Sequence, residues 1–385
     1  MFSSRLPHDP RPNPLTRALR ALRADDVPIF DLTESNPTRV GLDYPERLFD
    51  ELVPSSRGYA PAPLGVWSAR AAVAAHLETE AIDVAPDRIA LTASTSEAYS
   101  ILFKLLCDPG HEILVPQPSY PLFAHLTRLD GVVGVPYDLE YHGRWSIDPG
   151  RMARAVSPRT RAILVVTPNN PTGSYLSQLE LEQVSELAAA HDLALIGDEV
   201  FRSYPASDAA PPWPSVLSGG APMAFSLGGL SKSVGLPQMK LAWIAVGGHD
   251  AEVSSAMARL ELACDTYLSV ATSVQGAVGA LFAGGQDVHE QIAMRVRRNL
   301  DALQRAATDA RWARVLPVEG GWSAVVEVPA TVSEEERVLD LLTRRHVLVH
   351  PGFFYDFPRE AFLVCSLLPE PRVFDAALPH LLARD

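Results

Sequence analysis

From about residue 65 the chain alternates between two kinds of segment. WSARAAVAAHLETEA (67–81) is Ala-rich and amphipathic and predicts a helix, whereas RIALTA, HEILVPQ and RAILVVTP are short apolar runs that predict buried strands. Further runs of the second kind follow at DLALIGDE (192–199), PMAFSLGG (222–229) and KLAWIAVGG (240–248), each bounded by turn residues or an amphipathic helix. Six candidate strands of one sheet thus lie between residues 88 and 248. Strands alternating with helices predict an α/β fold with a mainly parallel sheet flanked by helices, because parallel neighbours need crossovers long enough to hold one.

Beyond 248 the pattern changes. A long helical region runs through ELACDTYLSVATSVQGAVGALFAG and HEQIAMRVRRNLDALQRAATDA; then come WSAVVEVP, a helix near 333–344, and HVLVHP. This second group predicts a smaller α+β domain that also takes in the N-terminal segment. Positions 7–14 are rich in proline and polar residues, so the first dozen or so residues read as an extended arm. The expected division is 1–45 for the arm and part of the small domain, 46–270 for the large domain, and 271–385 for the C-terminal small domain. A chain of 385 residues, 47% of them apolar, exceeds one core of usual size and can fill two.

Charge narrows the partners. Against 33 Lys+Arg stand 46 Asp+Glu, a formal charge of −13 that repels phosphate backbones and anionic lipid, so neither nucleic acid nor membrane is expected. Cys107, Cys264 and Cys365 are odd in number and lack metal-ligand spacing, so neither a disulfide framework nor a metal site is expected. The N-terminus lacks an apolar core of signal-peptide length and no stretch approaches a span of about 18 apolar residues, so the cytoplasm is the expected compartment.

Candidate chemistry is densest in LGGLSKSVGLPQMKLAW (227–243), where Lys232 sits in a turn after an apolar strand and Lys240 follows it. The small residues Gly228, Gly229 and Ser231 let backbone approach a ligand closely. A lysine amine attacks an aldehyde only when deprotonated, and burial beside a second cation lowers its pKa in that direction. Lys240 is the candidate for that cation and for a phosphate contact. TPNNPTG (167–173) presents Asn170 at the carboxyl end of a strand, where open α/β sheets bind ligands. DEVFRSY (198–204) puts Asp198 at the end of another buried strand, where a lone carboxylate needs a cationic partner such as a pyridinium nitrogen. LTASTSEAYSILFKLL (91–106) reads as strand, small polar turn and helix, so N–H groups near Thr95 and Ser96 converge on an anion. Tyr120, in VPQPSYPLF (115–123), lies where an aromatic face can stack on a flat ring. Singly, each has a plainer reading: a surface lysine, an Asp or Ser/Thr helix cap, a core tyrosine.

Taken in order, YAPAPLG, TASTSEA, PSY, NNPTG, DEV, SK and PG resemble the class I/II aminotransferases of the fold-type-I pyridoxal-phosphate superfamily, over roughly residues 31–368. NNPTG with the lysine motif is highly specific. The resemblance implies a homodimer with active sites at the interface and pyridoxal 5'-phosphate as cofactor. It implies that Lys232 carries the cofactor as a Schiff base and moves the substrate α-proton, and that Asp198 partners the ring nitrogen. It assigns Asn170 to the phenolic oxygen, Tyr120 to the ring face, Thr95 and Ser96 to the phosphate, and Ser231 to the cofactor-binding set. Lys240 takes the place of a phosphate-binding cation, commonly Arg, and Tyr59 of a tyrosine that reaches the phosphate in the neighbouring subunit. ESNPTRVG (34–41) matches the N-terminal substrate loop, making Asn36 and Arg39, with Asn170, the candidate substrate contacts.

The chain also departs from the family's pattern. Phe201 stands where many members have a tyrosine near the phenolic oxygen. Val364, in FLVCSLLPEP (362–371), stands where an arginine grips the substrate carboxylate. Losing that guanidinium removes charge-assisted hydrogen bonds worth about 1.5 to 3 kcal/mol each, so either Arg39 or Arg202 substitutes or the substrate differs. HPGFFYDF (350–357) offers Phe353, Phe354 and Tyr355 as an apolar pocket wall, with His350 beside it. The expected activity is transfer of an amino group between an amino acid or related amine and a 2-oxo acid. The alternative is a pyridoxal-phosphate lyase, decarboxylase or cyclising enzyme on the same fold. A ligand-sensing regulator would need a DNA-binding module, and an unrelated nucleotide-binding enzyme a GxGxxG or GxxxxGK[ST] motif after the first strand; neither is found.

Overall fold

The computed structural model describes residues 2–7, 9, 11–208 and 213–383. Of the expected N-terminal arm, positions 1, 8 and 10 lie outside the described residues, and the others form turns and irregular backbone. A helix then spans Pro14–Ala24, started by proline at its first position and by the Asn13 side chain, which accepts from the Thr16 N–H at 2.7 Å. Strand β1 (Phe30–Asp31) follows.

Eight strands make the main sheet: β2 (Ile89–Thr92), β3 (Glu112–Gln117), β4 (Val133–Tyr141), β5 (Trp145–Ile147), β6 (Thr160–Val166), β7 (Ala194–Asp198), β8 (Met223–Gly229) and β9 (Ala242–Gly248). Their spatial order is β2-β9-β8-β7-β6-β3-β4-β5. All six expected strands are present, and β4 and β5 are additions at one edge. The central run β8-β7-β6-β3-β4 is parallel, while β9 runs antiparallel to both β8 and β2, and β5 to β4. The central strands are continuous hydrophobic runs because helices cover both faces. Leu164 and Ile196 pack with Tyr99, Leu102 and Leu260 on one face; Ile163, Val165 and Leu195 pack with Met152, Leu181 and Val184 on the other. Each such fully buried aliphatic side chain contributes about 1.5 to 3 kcal/mol.

A second sheet has the order β10-β11-β14-β13 and is antiparallel, built from β10 (Arg314–Val315), β11 (Ser323–Glu327), β13 (His350–Pro351) and β14 (Phe362–Ser366). Between β11 and β13 lie the helix Glu334–Arg345 and β12 (Val347–Leu348), which pairs in parallel with β1. Leu15, Leu32 and Val40 from the chain's start share one core with Phe374 and Leu381 from its end. The two sheets are joined by a 39-residue helix, Thr272–Ala310. Its first turns bury Val274, Val278 and Leu281 against Leu77 and Trp243, and its later turns bury Ile292, Val296 and Leu303 in the core around β11 and β14. Among the described residues no helix is long and apolar enough to cross a membrane.

Candidate active site

Strand directions bring the candidate residues to one edge. Because β9 is antiparallel to both β8 and β2, the carboxyl ends of β2, β3, β6, β7 and β8 face the same way, and the start of β9 meets them there. Thr95, Tyr120, Asn170, Asp198 and Lys232 all follow or end those strands, and Lys240 precedes β9.

Lys232 lies in the four-residue helix Leu230–Ser233 directly after β8. The turn is pinned from outside itself: the Tyr204 hydroxyl donates to the Lys232 carbonyl at 2.6 Å, His289 Nδ1 lies 2.9 Å from the Ser233 carbonyl, and the Tyr44 hydroxyl donates to the Gly235 carbonyl at 2.7 Å. The amine stands 4.6 Å from the ring centre of Trp322 and 5.1 Å from that of Phe201. Among the described residues it has no hydrogen-bond or ion-pair partner. Burial lowers its pKa from 10.5 to about 8, and the charge of Asp198 opposes that drop. The expected flanking cation plays no part in this: Lys240 is exposed, in a left-handed conformation after the turn Pro237–Met239, and burial alone is the lowering influence. Gly228 also needs correction. A Cβ there would lie 2.4 Å from the Trp243 ring, so its smallness serves packing of β8 on β9 rather than approach to a ligand. Ser231 is half-buried beside the lysine.

Asp198 ends β7 and is only 7% exposed. Its Oδ2 accepts from the Tyr99 hydroxyl at 2.6 Å and its Oδ1 from the Val200 N–H at 3.3 Å. Burial raises its pKa, while these hydrogen bonds and the nearby Lys232 charge act the other way. Tyr120 is half-buried, edge-on to Phe123 at 5.7 Å, and its hydroxyl pKa is raised by burial and by the Asp198 charge. The two asparagines of NNPTG divide the work. Asn169, 4% exposed, donates to the Pro118 carbonyl at 3.0 Å and accepts from Ser119 Oγ at 2.8 Å, locking two loops together. Asn170 is left half-buried, accepting from Ser323 Oγ at 3.4 Å. Thr95 and Ser96 open the helix Thr95–Leu106; the Ser94 side chain caps the Glu97 N–H at 3.1 Å, and first-turn N–H groups have no acceptor within a helix.

Tyr59 is 75% exposed, in a surface patch with Tyr267 and Leu268. Asn36 uses its side-chain oxygen to cap the short turn Pro37–Arg39, accepting from the Thr38 N–H at 3.0 Å, and Arg39 is exposed. Arg202 is largely buried against Glu80, donating to that residue's carbonyl at 3.4 Å. Val364 is 2% exposed on β14, in register with Val325 and His350. His350 Nδ1 sits 3.0 Å from the hydroxyl of Tyr355, and burial lowers the histidine pKa. Of the aromatic wall, Tyr355 is buried, Phe354 half-buried, and Phe353 43% exposed, so the wall is narrower than expected. Tyr99, Tyr204 and Trp322 are the site neighbours that the motif reading missed. Tyr99 and Tyr204 sit inside the quoted segments TASTSEAYS and DEVFRSY, at positions where only the fold shows which way they face.

The sequence profile described as "Aminotransferase class I and II" matches residues 54–367, and the chain belongs to that family. An alanine aminotransferase of Mycobacterium tuberculosis is 28% identical over 383 residues, covering 96% of this chain and 88% of the relative. The glutamate-pyruvate aminotransferase AlaA of Escherichia coli is 25% identical over 381 residues, covering 95% and 92%. In fold the chain is similar to an aminotransferase from Escherichia coli, with a TM-score of 0.88 at 24% identity, covering 99% of this chain and 97% of that one. It is also similar to an alanine aminotransferase from Pyrococcus furiosus, with a TM-score of 0.87 at 22% identity, covering 96% and 95%. The protein is thus an enzyme of the transaminase class with a fold-type-I architecture. The family implies pyridoxal phosphate as cofactor and amino and oxo acids as substrates.

Proposed function

We propose that Lys232 is the residue that carries pyridoxal 5'-phosphate, and that the chain uses it to move an amino group from an amino acid or related amine to a 2-oxo acid. The observation that carries this reading is the lysine itself: a packed amine with no polar partner among the described residues, brought to about pH 8 by burial, on the same sheet edge as a buried carboxylate. The residues fit the cofactor's chemistry. The first-turn N–H groups of Thr95 and Ser96 suit a phosphate, and Ser231 and Lys240 are further proposed cofactor contacts; Asp198 suits a protonated ring nitrogen; Asn170 suits a phenolic oxygen; Tyr120 suits a ring face. When bound, the cofactor supplies an electron sink for the substrate carbon.

The work of the protein's own residues follows. Asp198 holds a proton on the ring nitrogen by charge. Lys232, neutral in part near pH 8, takes and returns the substrate's proton at its Nζ. Trp322 and Phe201 present ring faces to that amine. Asn170, Asn36 and Arg39 are the proposed substrate contacts.

We further propose a homodimer in which Tyr59 completes the neighbouring subunit's site. Its exposure, beside exposed Tyr267 and Leu268, supports a covered surface. Residues 46–270 form the proposed large domain, with 1–45 and 271–385 contributing the small one, and the cytoplasm is the proposed compartment. The names of the relatives make glutamate and pyruvate the first donor and acceptor to try. The test is visible absorption of the purified protein with pyridoxal phosphate, during addition of single amino acids and amines. A long-wavelength band lost to a donor and restored by a 2-oxo acid supports the reading. A band of equal strength in Lys232→Ala removes it.

A further inference from the structure

The helix that begins at Thr95 carries a second group toward the same site. Tyr99 lies four residues after Thr95 and therefore on the same face, one turn further along. Its side chain is fully buried, edge-on to Phe123 at 5.4 Å and tilted against Phe103 at 6.0 Å. A phenol so enclosed has its hydroxyl position set by packing, and a buried hydroxyl needs an acceptor. The acceptor is Asp198 Oδ2, at 2.6 Å.

We infer that Tyr99 is a positioning residue for Asp198: through its hydroxyl it orients that carboxylate and keeps it ionised for the cofactor's ring nitrogen. The inference rests on the proposed pairing of Asp198 with that nitrogen. Burial, together with the charge of Glu199, drives the Asp198 carboxyl toward its neutral form, and a neutral carboxyl holds no proton by charge. Two donors oppose this, and they are unequal. The Val200 N–H reaches Oδ1 only at 3.3 Å, whereas the phenol makes a short, charge-assisted bond to Oδ2. Burial and the Asp198 charge raise the Tyr99 hydroxyl well above its ordinary range, so it remains a donor wherever the carboxylate is charged. One rigid helix thus offers N–H groups to a phosphate at its first turn and supports the ring-nitrogen partner one turn later, which fixes the two cofactor-binding ends relative to each other.

The test is Tyr99→Phe in the holoenzyme, which removes one oxygen and leaves the ring packing. A hydrogen bond to a charged group is worth about 1.5 to 3 kcal/mol, or roughly ten- to a hundredfold. The cofactor dissociation constant is expected to rise about tenfold, with kcat falling while KM for the donor changes little. The pH midpoint of the lysine-bound cofactor's visible band is expected to move up, because a less firmly held ring proton repels the imine proton less. A merely structural tyrosine would move melting temperature and leave midpoint and affinity unchanged, and that result overturns the inference. Fluorotyrosine at position 99 serves where Tyr99→Phe does not fold. It keeps the shape and strengthens the donor, so the midpoint should move down, and an unmoved midpoint is again contrary. If the wild-type protein itself shows no lysine-bound band, it is the underlying cofactor reading that fails instead.

Discussion

Lys104, Lys232 and Lys240 are the chain's three lysines, so the reactivity of Lys232 can be read against two internal controls. The perturbation is pH, applied to the cofactor-free protein. With a pKa of about 8 rather than 10.5, Lys232 holds about 300 times more neutral amine at pH 7 than an ordinary lysine. A less basic amine is also a weaker nucleophile, so the expected gain in imine formation is smaller, on the order of tens-fold. Lys104 is tied to Ser100 and Asp130, and Lys240 is exposed. Brief treatment with a small aldehyde and cyanoborohydride between pH 6 and 11, followed by peptide mapping, gives one labelling curve per lysine. The Lys232 curve should reach half-height near pH 8. A Lys232 midpoint at 10 or above would refute the claim that burial depresses the amine. Stability follows with a definite sign. The unfolded chain binds the proton more tightly, so the cofactor-free protein gains stability as pH rises from about 8 to about 10.5. The full value is about 3 kcal/mol at about 1.4 per pH unit, less because the residue is partly accessible.

Two further substitutions test the scaffold. Tyr204→Phe leaves the Lys232 carbonyl without its 2.6 Å donor in a buried setting, at a cost of about 1 to 3 kcal/mol; a lower melting temperature with slower cofactor capture is expected, and unchanged capture would mean the turn is held by its own backbone. Asn299→Leu removes the amide that donates to the Leu367 and Pro369 carbonyls, both at 2.8 Å, so two buried acceptors lose their partner. Destabilisation of about 2 to 5 kcal/mol in denaturant titration is expected, and a loss under 1 would show that water replaces the amide.

The strands of the sheet interior were legible because burial on both faces leaves an unbroken apolar run, as in RAILVV and LALIG. Strands β4 and β5 were not legible. VGVPYDLEY carries glycine, proline and two acids, and its positions alternate irregularly between exposed and buried, as suits a strand near the sheet's edge. At the site, motif spacing pointed to residues at strand ends, since the chain itself carries them there. It could not reveal Tyr99, Tyr204 or Trp322, whose relevance comes from packing across more than twenty residues of sequence. Nor could it separate Asn169 from Asn170, neighbours that differ only in which way the turn points them. Arg202 is close to Asp198 in sequence, and only the fold shows that the turn carries it against Glu80.

The central claim is amino-group transfer, and the most direct measurement follows the nitrogen. Holoenzyme is given a ¹⁵N-labelled donor amino acid together with an unlabelled 2-oxo acid, and products are resolved by mass spectrometry. The account requires ¹⁵N in the new amino acid, with the donor recovered as its oxo acid and both lost in Lys232→Ala. Release of ¹⁵N as free ammonium, with no labelled amino acid formed, would contradict it and favour an eliminating enzyme on the same fold.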